Sequence, residues 1–363
     1  MENNYWSNYS EVVLETPEER AEKRKKQRRA FSRVFLALSV YVILSQFLAI
    51  GIYVLAKLLM SEENYLVFAN NNIISLIIGA GVQYVIMLPV FMLMTAKMRT
   101  AENKERRKLT LSEFILLFFV GEAFMYAGSL IGNILNAVIG GFLGDIPENT
   151  VDTVVSSTPI WLILVLMVIV APVVEELIFR KIVIDRLSVF GDRVAIIFSG
   201  VAFGLIHANL YQFFYAAFLG IILGYVYTRT RDIKYSIFIH MLINFLGSVV
   251  ALYVSDALVS YEDLVYKLTE QLNVGGIYPF PGINLIELAF NGLVYSLYAN
   301  LQMGMAVGGV IVLVHCIRKK KIEISPDADV FLPNDELYRG GILNFGSILF
   351  IAVTLILIVL NLF

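Results

Sequence analysis

Charge is scarce in this chain of 363 residues. Asp, Glu, Lys and Arg make up 16% of it, against about 25% in soluble domains. Cysteine is nearly absent: Cys316 stands alone, so no internal disulfide can form and the redox compartment is unreadable. Neither sign of charge prevails, with a formal net charge of -2, which excludes the broad basic footprint of a nucleic-acid binder. No internal repeat, low-complexity tract or soluble catalytic domain is visible. The N-terminus does not read as a secretory signal, because about thirty polar residues precede the first apolar run and that run is too long for a signal core.

What is abundant is apolar sequence, 58% of residues, and it is gathered in blocks. A stretch of about 20 uncharged residues spans the hydrocarbon core as a helix, and the pattern predicts an all-α polytopic bundle of nine spans: 31–60, 73–94, 111–140, 159–187, 193–209, 210–229, 234–254, 285–316 and 342–363. Loop charge supports that count. Segments 95–110 (Lys97, Arg99, Lys104, Arg106, Arg107, Lys108), 180–193, 229–234 and 318–321 are basic. The alternate loops are neutral or acidic, with Glu62 and Glu63, then Asp145, Glu148 and Asp152, then Asp256, Glu262 and Asp263. By the positive-inside rule the N-terminus is then cytoplasmic, in a membrane that suits a bacterial plasma membrane. The alternation requires a break around Ala208–Asn209–Leu210 that splits 193–229 into two short helices. The expected organisation is a basic tail at 1–30, N-terminal spans at 31–110, a membrane core at 111–254, and a further loop with C-terminal spans at 255–363. Loops 255–284 and 322–341 have room for small interfacial elements, and Tyr253, Tyr261 and Tyr278 suit an interfacial belt.

Ionisable side chains inside a span cost about 2.5–3.5 kcal/mol on insertion scales and face the protein interior, so they are functional candidates by default. The fourth span carries Glu175, Glu176 and Arg180 in the run Ala-Pro-Val-Val-Glu-Glu-Leu-Ile-Phe-Arg; the fifth carries His207, four residues after Phe203; the seventh carries His240 and Asn244. From the expected cytoplasmic ends these lie about 18, 21, 9 and 15 Å deep for Glu175, His207, His240 and Asn244, close enough for one cavity. Neighbouring glutamates diverge by about 100°. Glu176 is in register to pair with Arg180, leaving Glu175 without a fixed countercharge and suited to act as a general base. Pro172 is placed to kink the helix and free a carbonyl. The plainer alternative is interhelical polar glue. His315, beside Cys316 at a helix end, reads as interfacial, and Glu122 is a further intramembrane carboxylate outside this set.

These residues resemble the CPBP intramembrane proteases, the family of the CAAX prenyl endopeptidase and Abi-type proteins. Glu-Glu-x-x-x-Arg at 175–180, Phe-x-x-x-His at 203–207 and His-x-x-x-Asn at 240–244 match its three motifs in order and spacing, over about residues 110–250. The resemblance implies an endopeptidase in which Glu175 activates water with help from His207, His240 and Asn244 stabilise the oxyanion, and Glu176 and Arg180 support them. It implies a peptide or protein substrate entering from the membrane or the cytoplasmic side. The cofactor is either zinc, with His207, His240 and Glu175 as candidate ligands of a metalloprotease, or none; the lack of a His-Glu-x-x-His helix favours none. Competing readings are a transporter or proton relay, disfavoured by the lack of inverted repeats, and a non-catalytic immunity or scaffold protein.

Overall fold

The computed structural model describes residues 16–101, 106–144, 147, 149–274, 283–322, 324 and 328–362. The expectations for Lys104, Asp145, Glu148, Tyr278 and the first fifteen residues fall outside that set. Among the described residues all regular structure is helical. In chain order the helices are α1 (Pro17–Leu59), α2 (Glu62–Ala69), α3 (Asn72–Thr95), α4 (Leu111–Leu143), α5 (Thr150–Ser157), α6 (Ile160–Phe190), α7 (Asp192–Ile206), α8 (Leu210–Thr230), α9 (Ile233–Asn273), α10 (Leu285–Arg318), α11 (Asn334–Ile342) and α12 (Phe345–Leu360). The protein is an integral, multi-pass membrane protein. Seven of these helices are long and apolar enough to cross a membrane, or eight if the bent pair α11–α12, with its 59° break, is one span.

The expected nine spans are therefore corrected. The difference lies at 193–209. The break at Ala208–Asn209–Leu210 is present, with Ala208 in the left-handed region at φ 51° and the Asn209 side chain accepting from the amides of Tyr211 and Gln212 at the start of α8. The helix before it, α7, has only 15 residues, about 22 Å of rise against a core of about 30 Å. It packs along α8 as a tight antiparallel hairpin that returns Arg231, at the end of α8, to Asp192 at the start of α7. A Cβ on Gly204 would lie 2.4 Å from the Phe213 carbonyl oxygen, and one on Gly220 2.9 Å from Gly200 Cα. Backbone contact this close needs residues without side chains.

Of the two loop expectations one changes. Helix α9 runs on to Asn273 through residues 255–273, because Val254, Leu264 and neighbours at helical spacing give the acidic stretch an apolar face. Val254 and Leu264 are buried, and the Tyr261 ring lies where a Cβ on Gly292 of α10 would sit, 2.8 Å away. The 322–341 loop holds α11, as its length allowed. α11 and α12 are no peripheral addition: Leu337, Phe350 and Ile358 join the main core with Phe31, Phe35 and Leu38 of α1, and Asn361 donates to the Ala208 carbonyl at 2.7 Å.

The basic segments meet at one end of the bundle. The Ala101 amide donates to the Asp185 carbonyl, the Arg107 amide to the Thr230 carbonyl, and the Val330 amide to the Val189 carbonyl. Arg231 grips Asp192 at 2.7 and 2.8 Å, and Arg99 and Arg20 reach Asp329 and Glu336. The pairing of loops inferred from alternating charge is reproduced in these contacts.

Candidate active site in the membrane

The part of α6 that carries the two glutamates is an α-helical stretch between two π-turns. Ala171–Glu176 is flanked by Leu164–Val170 and Leu177–Ile184, and such turns often mark functional sites. The cause is partly Pro172. In π-register the Ala171 amide donates to the Leu166 carbonyl; the next donor, residue 172, has no N–H. The Met167 carbonyl is taken instead by Asn244, whose Nδ2 donates to it at 2.8 Å. The proline thus creates the acceptor that anchors α9 to α6. α9 has its own π-turn directly after Asn244, at Phe245–Val250.

Glu176 and Arg180 are wholly buried and form an ion pair at 3.0 Å between Oε2 and Nε. The guanidinium makes no hydrogen bond of good geometry; its face rests over the Phe203 ring, 4.8 Å from the centroid, a cation–π contact that strengthens away from water. The other Glu176 oxygen accepts from His240 Nδ1 at 3.1 Å. A carboxylate only accepts, so Nδ1 carries the proton and the ring is fixed with Nε2 facing Glu175, 3.7 Å from its Oε2. The two glutamates diverge, as neighbours on a helix must, yet both reach one imidazole. Glu175 is the more accessible, with its side chain 21% exposed against none for Glu176.

His207 sits in the turn that ends α7. Its Nδ1 donates to the Phe203 carbonyl at 2.7 Å, leaving Nε2 as an acceptor. Among the described contacts it does not touch Glu175 directly; it joins the cluster through Phe203. That ring is edge-on to His207 at 5.0 Å and to His240 at 5.6 Å. Phe203 is thus the spacer between both histidines and the arginine, a role visible in the sequence only as the first position of a motif. The structure brings Glu175, Glu176, Arg180, His240 and Asn244 together through contacts between α6 and α9, and adds His207 one ring away.

Glu122 lies elsewhere. It is fully buried on α4 with no hydrogen-bond partner on either oxygen, behind Gly121, which packs on Ile239 and Ile243 of α9. His315 and Cys316 fall in the last turns of α10, away from the cluster.

Residues 157–246 match the family described as type II CAAX prenyl endopeptidase Rce1-like. A Lactococcus lactis protein named UPF0177 protein YbdI is 34% identical over 131 residues, 34% of this chain and 70% of that protein. The chain belongs to the CPBP family. A Bacillus subtilis protein bearing the name "Putative membrane peptidase YdiL" is 29% identical over 163 residues, 43% of this chain. The matched part spans 63% of that CPBP relative's length. No solved structure matches. The matched segment encloses all three motifs and lies within the expected core at 111–254.

Zinc does not fit the donors of this CPBP site as they stand. Among the described residues no three His, Cys, Asp or Glu side chains are grouped as a metal requires: one His240 nitrogen and both free Glu176 oxygens are engaged by each other and by Arg180, and His207 is held apart by Phe203. No step is derived through a metal.

Proposed function

We propose that the protein is an intramembrane endopeptidase that hydrolyses peptide bonds with a water activated by Glu175. The supporting observation is the Glu175–His240–Glu176–Arg180 chain of contacts, in which only Glu175 is accessible and lacks a cationic partner. Water beside Glu175 and His240 Nε2 loses a proton to the Glu175 carboxylate as its oxygen attacks the scissile carbonyl carbon. The tetrahedral oxyanion is met by donors from α9: the Asn244 amide hydrogen not spent on Met167, and His240 Nε2–H when the ring is doubly protonated. Collapse breaks the C–N bond, and the leaving amine takes the proton held on Glu175, directly or across His207 Nε2. Glu176 and Arg180 position His240 and do not touch substrate.

By the positive-inside rule the basic end of the bundle faces the cytoplasm, which puts the N-terminus there. We further infer that catalysis needs no metal. Purified wild type and Glu175→Gln, each presented with a peptide library in detergent with and without chelator, test both points. The expected result is cleavage by wild type alone, unchanged by chelation. Equal cleavage by the two proteins removes Glu175 from its role, and loss on chelation overturns the metal-free route.

A further inference from the structure

Two cavities open on α6, one on either side of Glu175, and they differ in charge. The inner one, about 300 Å³, is lined from α3 by Ser75, Gln83 and Tyr84 and from α6 by Met167 and Ala171, and among the described residues no carboxylate or cation borders it. The outer one, about 600 Å³, begins at Leu177 and Met92 and ends among Arg106, Lys181, Arg186 and Arg231, with Asp185 the one carboxylate among the described residues of its lining. Helices α3 and α6 run the same way past both, and Glu175, which lines neither, lies on the stretch of α6 between Ala171 and Leu177.

The cationic excess of the outer chamber is only partly used internally. Arg231 is held by Asp192, but its Nε is buried without a partner. Arg186 spends its donors on the carbonyls of Thr95 and Ile182 at 3.0 and 3.1 Å, and the carboxylate whose charge it feels is Asp185, already paired with Lys181. Lys181 pairs with Asp185 at 2.9 Å, yet its side chain is 53% exposed, and such a pair is weak and exchangeable. The chamber is thus built to accept negative charge, while the inner chamber offers amide, hydroxyl and apolar surface only.

Resting on the peptidase reading above, we propose that the substrate is a polypeptide lying along α3 and α6 across Glu175, with an uncharged segment in the inner chamber and an acidic side chain in the outer one. The spacing follows from geometry. Glu175 to Lys181 is six residues of helix, about 9 Å, which an extended peptide covers in about three residues. The acidic residue therefore sits about two to four positions from the cleaved bond, on one side of it only.

The test uses full-length protein in nanodiscs of zwitterionic lipid and peptides of one core sequence with Glu or Lys placed two to four residues to either side of the cleaved bond. Wild type is expected to prefer Glu over Lys on one side by about fivefold in kcat/KM, mostly in KM, the scale of one exposed ion pair. Lys181→Glu and Arg106→Glu are each expected to reverse that order between the Glu and Lys peptides. Binding of the same peptides to Glu175→Gln, followed by fluorescence anisotropy, is expected to show the same preference. If wild type cleaves nothing but the binding preference appears, the peptidase reading fails and the charge-selective outer chamber stands. Cleavage or binding indifferent to peptide charge overturns the proposal. So does a result in which phosphatidylglycerol nanodiscs or inorganic phosphate raise the Tm of wild type but not of Lys181→Glu while peptide charge has no effect, because the chamber is then a headgroup site.

Discussion

Glu176 and Glu122 are both fully buried carboxylates on membrane helices, and their surroundings have little in common. Glu176 is wired on both oxygens, to Arg180 on its own helix and to His240 across the α6–α9 seam. Glu122 faces the α4–α10 seam with neither oxygen bonded. That seam is held by backbone proximity, with the Phe119 carbonyl oxygen where a Cβ on Gly309 would lie. Nearby, Gln302 donates to the Tyr298 hydroxyl at 2.8 Å while its own Oε1 goes unpartnered. The lesson is that insertion cost alone does not identify a working carboxylate. What distinguishes the α6 seam is that each polar group there orients the next one, ending at the accessible Glu175.

Four substitutions test whether that wiring carries the chemistry. Glu175→Gln should lower kcat by about 10³-fold or more, the scale of a lost general base, with an unchanged thermal midpoint because the side chain is partly exposed and unpaired. A midpoint that falls with activity would make Glu175 structural. Arg180→Leu leaves Glu176 charged and alone in the bundle and should destabilise by about 3–5 kcal/mol in chemical unfolding. Pairing it with Glu176→Leu should recover most of that loss, and failure to recover would show that Arg180 holds the fold through Phe203 rather than through charge. Asn244→Leu should cost about 10²-fold in kcat and about 1 kcal/mol of stability through the Met167 bond. A loss confined to stability would take Asn244 out of the oxyanion role.

The sequence made the α6 seam legible because its residues are expensive in lipid and few: with only three histidines in the chain, two inside spans already narrow the choice. Helical period fixed that Glu175 and Glu176 diverge and that Glu176 meets Arg180, and the missing N–H of Pro172 foretold a freed carbonyl. Which donor would claim it did not follow, since that depends on how α9 leans on α6. Phe203 was invisible as a partner because a phenylalanine in an apolar span carries no cost signal. The split of 193–229 into two helices was legible from the loop charges and is present, whereas the count of nine is not reached because α7, at 15 residues, is short for a span; the close approach of α7 and α8 through Gly200, Gly204 and Gly220 carries no hydropathy signal. The length of α9 was missed because Asp256, Glu262 and Asp263 masked an amphipathic face. The chamber charges were written in the loops as topology signals, and only the fold shows which of those cations line one cavity.

The remaining tests concern the other seam and should have smaller effects. Gly309→Leu forces α10 off the Phe119 carbonyl and should destabilise by about 1–3 kcal/mol. Gly247→Ala, with nothing within 4 Å of the new Cβ, should be silent, and equal effects would mean that α10 is not seated on α4 as described.

Glu122→Gln sharpens the contrast between the seams most directly. Nothing facing Glu122 donates to either oxygen or supplies a cation, so its neutral isostere loses no partner, and the change in unfolding free energy should stay below about 1 kcal/mol with kcat intact. Glu176→Gln, by contrast, strands Arg180 in the core and should cost several kcal/mol. If the two substitutions cost the same, Glu122 must be meeting a positive partner in the membrane, and the α4–α10 seam would have to be read as a second polar centre rather than as packing.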